Sequence, residues 1–221
     1  MSRRYDAVLL DAFGTLIDVD RPYARLQRSV RRHLGAAITL ADAERAFRAE
    51  MTYYADHCHD GSDPRTLAAL RERCAAIVLA ELGIEADPAL AATLLIDAIA
   101  FRPYDDAAPL LAGLAEAGVG VAIVSNWDCS LPDALAAAGI AVEHVVASGA
   151  AGASKPDPRI FRVALDALGV EPGRALHVGD TEETDGVGAR ATGIDVRIVD
   201  RGGAAGGADT ISALTDVLDL L

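Results

Sequence analysis

Apolar residues fall along this chain in two different rhythms. Near the start, Val8-Leu9-Leu10 runs unbroken into Asp11, and residues 5–11 read as a buried strand. From about Pro22 to Phe101 nothing resembles a strand. Apolar positions recur there at helical spacing over residues 23–34, 40–57, 66–82 and 88–100. Breaks fall at Gly35, at Gly61-Ser62-Asp63-Pro64 and at Gly83. Asp63-Pro64 and Asp87-Pro88 each read as a helix N-cap followed by proline at the first helical position. Beyond Pro103 helices and strands alternate. Helices at 106–117, 131–138, 158–168 and 184–192 lead to or from strands at 119–124, 143–147, 175–178 and 194–199. A last helix is expected from about Thr210, residues 202–207 read as a flexible surface loop, and no internal repeat is visible.

Alternation of helix and apolar strand predicts a parallel sheet covered on both faces. The expected fold class is α/β: a Rossmann-like core from residues 1–16 and 103–221, with residues 17–102 inserted as a helical cap. A chain of 221 residues can bury such a core, and its 52% hydrophobic content includes no run long enough to span a bilayer. The basic start Met1-Ser2-Arg3-Arg4 precedes only a few apolar residues, unlike a signal peptide, so the expected location is cytoplasmic. Cys58, Cys74 and Cys129 are odd in number and far apart, which argues against a disulfide framework. The net charge of −13 argues against a nucleic-acid partner. It leaves room for a small anionic substrate, because a local site on an acidic protein can be positive.

In an open α/β sheet, ligands bind beyond the carboxyl ends of the strands. Four polar clusters fall there. Asp11 ends the first strand, Ser125-Asn126 follows Val124, and Lys155-Pro156-Asp157-Pro158 follows the strand ending near Ala147. Gly179-Asp180 follows Val178, with Asp185 five residues on. Each cluster alone is weak, since strand-end Ser and Asp often serve as caps. Four in order at the same end of successive strands make a stronger case.

In order and type these clusters resemble the four motifs of the haloacid dehalogenase-like (HAD) hydrolases. The helical insertion directly after the first motif looks like a cap of the C1 type. The resemblance implies that Asp11 is a nucleophile forming an aspartyl-enzyme intermediate and that Thr15 orients the motif. It implies that Ser125 and Asn126 bind the transferred group, and that Lys155 offsets charge on nucleophile and substrate. It makes Asp180 a direct Mg²⁺ ligand, Asp185 a supporting acid that acts on the metal directly or through water, Phe13 a ligand through its backbone carbonyl, and Asp11 a member of the metal site as well. Asp11, Asp180 and Asp185 against Lys155 sum to about −2, and one Mg²⁺ brings the site near neutrality for a phosphate substrate.

Phe13 departs from the phosphatase pattern, in which an Asp at this place protonates the leaving group and later activates water. Such help is worth roughly 10²–10⁴-fold. Three ways around the loss are open: a good leaving group, a proton from the cap, or a halide leaving group. The last is the chemistry of 2-haloacid dehalogenases, whose first motif Asp11-Ala12-Phe13-Gly14-Thr15-Leu16 resembles. Arg25, Arg28, Arg32 and Arg65 are then candidates to hold a substrate carboxylate. The expected activity is Mg²⁺-dependent hydrolysis of a small phosphorylated metabolite. The alternatives are a dehalogenase using Asp11, or a catalytically weak protein that binds a phosphorylated ligand or a partner.

His57-Cys58-His59 looks like a metal cluster, but consecutive helical residues point in different directions. Within Tyr53-Tyr54-Ala55-Asp56-His57, His57 is the candidate cap acid, against simple aromatic packing between cap helices. Trp127 and Asp128 are candidates to wall the site. Cys129 has no adjacent base in sequence, so no thiol nucleophile is expected.

Overall fold

A computed structural model of the chain describes residues 4–203 and 207–221. Residues 1–3 of the basic start and 204–206 of the glycine-rich loop lie outside the described residues. The first strand, β1 (Ala7–Leu10), leads through a tight turn to β2 (Ile17–Val19). Four helices follow: α1 (Pro22–Leu34), α2 (Leu40–His57), α3 (Pro64–Leu82) and α4 (Pro88–Ala98). The chain returns through β3 (Phe101–Pro103) and then alternates: α5 (Ala107–Glu116), β4 (Gly120–Ser125), α6 (Leu131–Ala137), β5 (His144–Ala147), α7 (Ser148–Ala151) and α8 (Pro158–Leu168). It ends with β6 (Ala175–Gly179), α9 (Val187–Thr192), β7 (Asp195–Val199), β8 (Thr210–Ile211) and a 3₁₀ segment, Leu214–Leu220.

Six strands form one parallel sheet in the order β5-β4-β1-β6-β7-β8. Side-chain alternation in β1 shows why this strand is apolar throughout. Val8 and Leu10 enter the hydrophobic cluster under α5, α6 and the C-terminal segment, while Ala7 and Leu9 enter the cluster under α8 and α9. All four are completely buried.

Helices α1–α4 pack on one another around a third cluster that includes Leu26, Val30, Phe47, Leu70, Val78, Leu94 and Leu95. Local chemistry starts these helices where the sequence places them. Thr39 and Asp42 make a reciprocal capping box for α2, as Asp63 and Thr66 do for α3, and Asp87 caps α4. Gly35 and Gly83, with φ of 67° and 66°, close α1 and α3.

Three expectations change. β2 and β3 pair antiparallel as a two-stranded ribbon at the root of the helical insertion, where no strand is evident from the sequence. Ile17-Asp18-Val19 and Phe101-Arg102-Pro103 are too short to show a period. The helix expected from Thr210 begins instead as β8, because Thr210 and Ile211 extend the sheet beside β7. The 3₁₀ segment then buries Leu214 and Val217. Finally, residues 182–186 wind as a π-turn before α9, placing Asp185 and Gly186 inward.

Candidate functional site

The register of three neighbouring strands assembles the site. Leu10 of β1 lies beside Ile123 of β4 and Val178 of β6, so the residues just beyond meet at one sheet edge. The Asp11 amide donates to the Val178 carbonyl at 2.9 Å, which fixes where its carboxylate emerges. Ser125 Oγ donates to Asp11 Oδ1 at 2.9 Å, and Lys155 Nζ donates to the same oxygen at 2.5 Å. Lys155 also donates to Asp185 Oδ1 at 2.6 Å. The ammonium is thus shared between two carboxylates in a buried setting. Removing one partner from such an arrangement typically costs about 3–5 kcal/mol, since it leaves a buried charge uncompensated.

Asp185 is hydrogen-bonded at both of its carboxylate oxygens. His177 Nε2 lies 2.8 Å from Oδ1, and the Thr181 amide donates to Oδ2 at 3.2 Å. Burial alone would push the Asp185 carboxyl up, but the charge of Lys155 and the hydrogen bond from His177 outweigh it and hold it well below the usual range. Lys155 answers in kind: burial pulls its ammonium down, and Asp11 and Asp185 outweigh that and hold it up. Burial pushes Asp11 up despite Lys155. Asp180 is pushed up to about 6, first by burial and then by the negative charges of Asp11 and Asp185.

Two glycines make the space for these acids. At Gly14, φ is +78° and an added Cβ would stand 2.1 Å from Asp180 Oδ2. At Gly179 an added Cβ would stand 2.1 Å from the Asp185 carboxyl carbon. Each glycine is a slot filled by a carboxylate.

Oxygens of Asp11, Asp180 and Asp185 lie within 4.8 Å of one another. This donor set fits a hard divalent cation such as Mg²⁺, which prefers oxygen ligands and keeps several waters. Asp11 and Asp180 would be its direct carboxylate ligands, joined by the Phe13 carbonyl. Asp185, with both oxygens already hydrogen-bonded, would steady them from behind.

A cavity of about 840 Å³ opens above the sheet edge, between it and the helical insertion. Asp11, Phe13, Ser125, Asn126, Lys155, Asp180 and Asp185 all line it. Asn126 is committed to the Lys155 backbone, donating to its carbonyl at 2.9 Å and accepting from its amide at 2.7 Å. Its side chain therefore sets the position of Lys155. Thr15 stands apart: it does not line the cavity, its buried hydroxyl finds no partner among the described residues, and its carbonyl accepts from Arg201 at 2.9 Å.

His57, the candidate cap acid, does not line the cavity. Its ring stacks on Tyr53 at 4.0 Å and its Nδ1 lies 2.8 Å from the Tyr53 carbonyl. His57 is the last residue of α2 and leaves the helical conformation, and its ring folds back on Tyr53 while Tyr54 reaches the cavity. Nor does Arg25, Arg28, Arg32 or Arg65 reach the cavity; Arg71 does. Trp127 and Asp128 do wall it. Trp127 sits edge-on to Phe13 and Tyr54, with Phe101 5.1 Å away. Asp128 Oδ2 accepts from the Tyr54 hydroxyl at 2.8 Å, and the Cys129 amide donates to the Gly61 carbonyl at 2.7 Å. These bonds tie the insertion to the loop that follows Ser125. Two residues escaped the sequence reading: His177, a strand residue with no visible signal, and Glu50, a helical acid that looks solvated in sequence but is 3% exposed.

The sequence pattern of haloacid dehalogenase-like hydrolases matches residues 5–193. Haloacid dehalogenase-like hydrolase domain-containing protein 3 of Mus musculus is 33% identical over 208 residues, 88% of this chain and 82% of its own. A phosphoserine phosphatase of Thermus thermophilus is 41% identical over 102 residues, which span 45% of this chain but only 41% of that protein. Among solved structures, L-2-haloacid dehalogenase of Xanthobacter autotrophicus superposes with a TM-score of 0.73 at 25% identity, covering 98% of both chains. Sheet order, helical insertion and sequence similarity agree, and the chain belongs to the haloacid dehalogenase-like hydrolases.

Proposed function

We propose that this hydrolase is a Mg²⁺-dependent phosphatase acting on small phosphorylated molecules with a good leaving group, aryl or acyl phosphates, through an aspartyl-phosphate on Asp11. The observation that carries the reading is the trio of carboxylates within 4.8 Å beside a single buried lysine. Displacement of halide at carbon offers that surplus of negative charge no counter-ion. The divalent cation that accompanies a phosphate ester does.

The residues divide the work. Ser125 and Lys155 both hold Asp11 Oδ1, which leaves Oδ2 as the attacking oxygen. As the Oδ2–P bond forms, the bond from phosphorus to the organic oxygen breaks and its electron pair leaves on that oxygen. Lys155 offsets charge gathering on the phosphoryl oxygens, and Mg²⁺, when bound, supplies further electrostatic stabilisation there. Water then attacks the phosphorus, the Oδ2–P bond breaks with its electron pair returning to the Asp11 carboxylate, and both protons of the water leave with dihydrogen phosphate. Phe13 puts a phenyl ring where an acid would stand, so no proton is delivered to the departing oxygen from this position. A phenol or carboxylic acid, far more acidic than an alkyl alcohol, departs without one.

Purified protein with Mg²⁺ is expected to release phosphate from 4-nitrophenyl phosphate and acetyl phosphate. EDTA and Asp11→Asn are each expected to abolish the release. Absence of phosphate from every such ester sinks the reading. The dehalogenase alternative draws on Phe13 and on Arg71, which with Lys155 is one of two basic residues lining the cavity among those described. EDTA-insensitive halide release from a 2-haloacid would favour it.

A further inference from the structure

The cavity is far larger than a phosphate group and mostly apolar, and it extends from Asp11 deep between the helices of the insertion. Its inner wall is built by Phe47 and Met51 of α2, Leu70 of α3 and Leu95 of α4. One acid interrupts that wall. Glu50 lines the cavity at 3% exposure, three residues from Phe47 on the same face of α2. The Cys74 thiol is a hydrogen-bond partner of its carboxyl. Its Oε2, however, finds no partner among the described residues, and no ion pair neutralises it there. A buried carboxyl oxygen without a protein partner costs free energy, and one that lines a cavity is placed to be completed by what enters it.

The surroundings select the chemistry of that ligand. Apolar walls favour its neutral form, no cation is paired with it among the described residues, and burial pushes its carboxyl up to about 7. A neutral carboxyl both donates and accepts, and its natural partner in an apolar pocket is an uncharged group that does the same. We propose that Glu50 is a specificity-determining residue that takes up a hydroxyl at the end of the substrate's organic part remote from the phosphate. Aromatic rings of Phe13, Trp127 and Phe101 line the stretch near Asp11, which suits an aryl body between the two ends. The substrate class is then an aryl phosphate bearing a distal alcohol. This inference rests on the phosphatase reading for the phosphate end, and on the cavity alone for the hydroxyl end.

The test uses paired aryl phosphates that differ only in the tip of a para side chain, hydroxyl against methyl, at three chain lengths. For the length that reaches Glu50, wild type is expected to favour the hydroxyl compound in kcat/KM by about tenfold, mostly through KM. Glu50→Leu is expected to bring that ratio to about one. Glu50→Gln, which keeps a donor and an acceptor, is expected to retain most of the preference. A wild-type ratio at or below one at every length overturns the proposal, as does a ratio that Glu50→Leu leaves unaltered. Calorimetric titration of the matching non-hydrolysable phosphonates separates the two readings. If no ester is hydrolysed, the phosphatase reading falls. The phosphonate pairs still decide Glu50, since equal affinities of wild type for hydroxyl and methyl tips refute its role.

Discussion

Replacing Glu50 by Gln removes the ionisation of a single buried acid and alters little else in shape, so its effect on stability can be worked out in advance. In the folded chain this carboxyl titrates at about 7, raised by burial from 4.5. Between those values the native state holds a proton that the unfolded chain has released, so wild-type stability falls as pH rises through this window. The slope is about 1.4 kcal/mol per pH unit. Below the window both states are protonated, and above it both are ionised, so the loss levels off near pH 7. From about pH 5 to about pH 8 the wild type therefore loses roughly 2.5 kcal/mol at this one site. Glu50→Gln cannot ionise and escapes that loss. Urea unfolding of both proteins at the two pH values gives the difference directly. The Gln variant is expected to gain on wild type by roughly 2–3 kcal/mol between the acid and alkaline measurements, whatever its offset at pH 5. Other titrating groups, Asp180 and Asp11 among them, are common to both proteins and cancel. A shift in the difference below about 0.5 kcal/mol would mean that Glu50 ionises as freely in the fold as in water, and the argument for a neutral acid in the cavity would fail.

Other substitutions probe other parts of the same arrangement. Gly14→Ala puts a Cβ where Asp180 Oδ2 stands and strains a backbone at φ +78°; Mg²⁺ affinity measured by calorimetry is expected to fall at least about tenfold. Tyr54→Phe removes the hydroxyl bonded to Asp128; it is expected to cost about 1.5–3 kcal/mol and to speed amide hydrogen exchange in residues 58–61, and unchanged exchange there would show that this bond does not fasten the insertion. Phe13→Asp supplies a carboxyl beside Asp11; turnover of alkyl phosphates is expected to rise by about 10²-fold or more while aryl phosphates gain little, and an equal gain for both would refute the leaving-group argument.

The sheet was legible in the sequence because both of its faces are buried. A strand that alternates between two hydrophobic clusters, as Ala7, Val8, Leu9 and Leu10 do, must be apolar at every position. The meeting of Asp11, Ser125 and Asp180 was legible for a related reason: each follows such a run, and neighbouring parallel strands deliver their ends to one edge. Short pairings were not legible. Ile17-Asp18-Val19 becomes a strand only because Phe101-Arg102-Pro103 lies opposite, and Thr210-Ile211 only because β7 offers an edge. Within the helical insertion the difficulty is one of angle. Tyr54 and His57 are both polar aromatic residues three positions apart, but His57 ends α2 and folds onto Tyr53, whereas Tyr54 reaches Asp128. Glu50 shows the converse, an acid that nothing in the sequence singles out and that the fold encloses.

The bond from Tyr54 to Asp128 bears on more than the attachment of the insertion. Asp128 stands three residues after Ser125, the residue that holds Asp11, and its other oxygen is taken by the Ser130 amide and hydroxyl at 2.7 and 2.5 Å. Between Ser125 and Asp128 lies Asn126, which grips the backbone of Lys155. A four-residue stretch thus serves as a common hub. Its first two members set the hydrogen bonds around Asp11 and Lys155, and its last holds Tyr54 at the cavity wall. The residue that fixes Tyr54 is therefore only three positions along the chain from the one that holds Asp11. One short loop in this chain thus fastens the helical insertion and braces the carboxylate of Asp11.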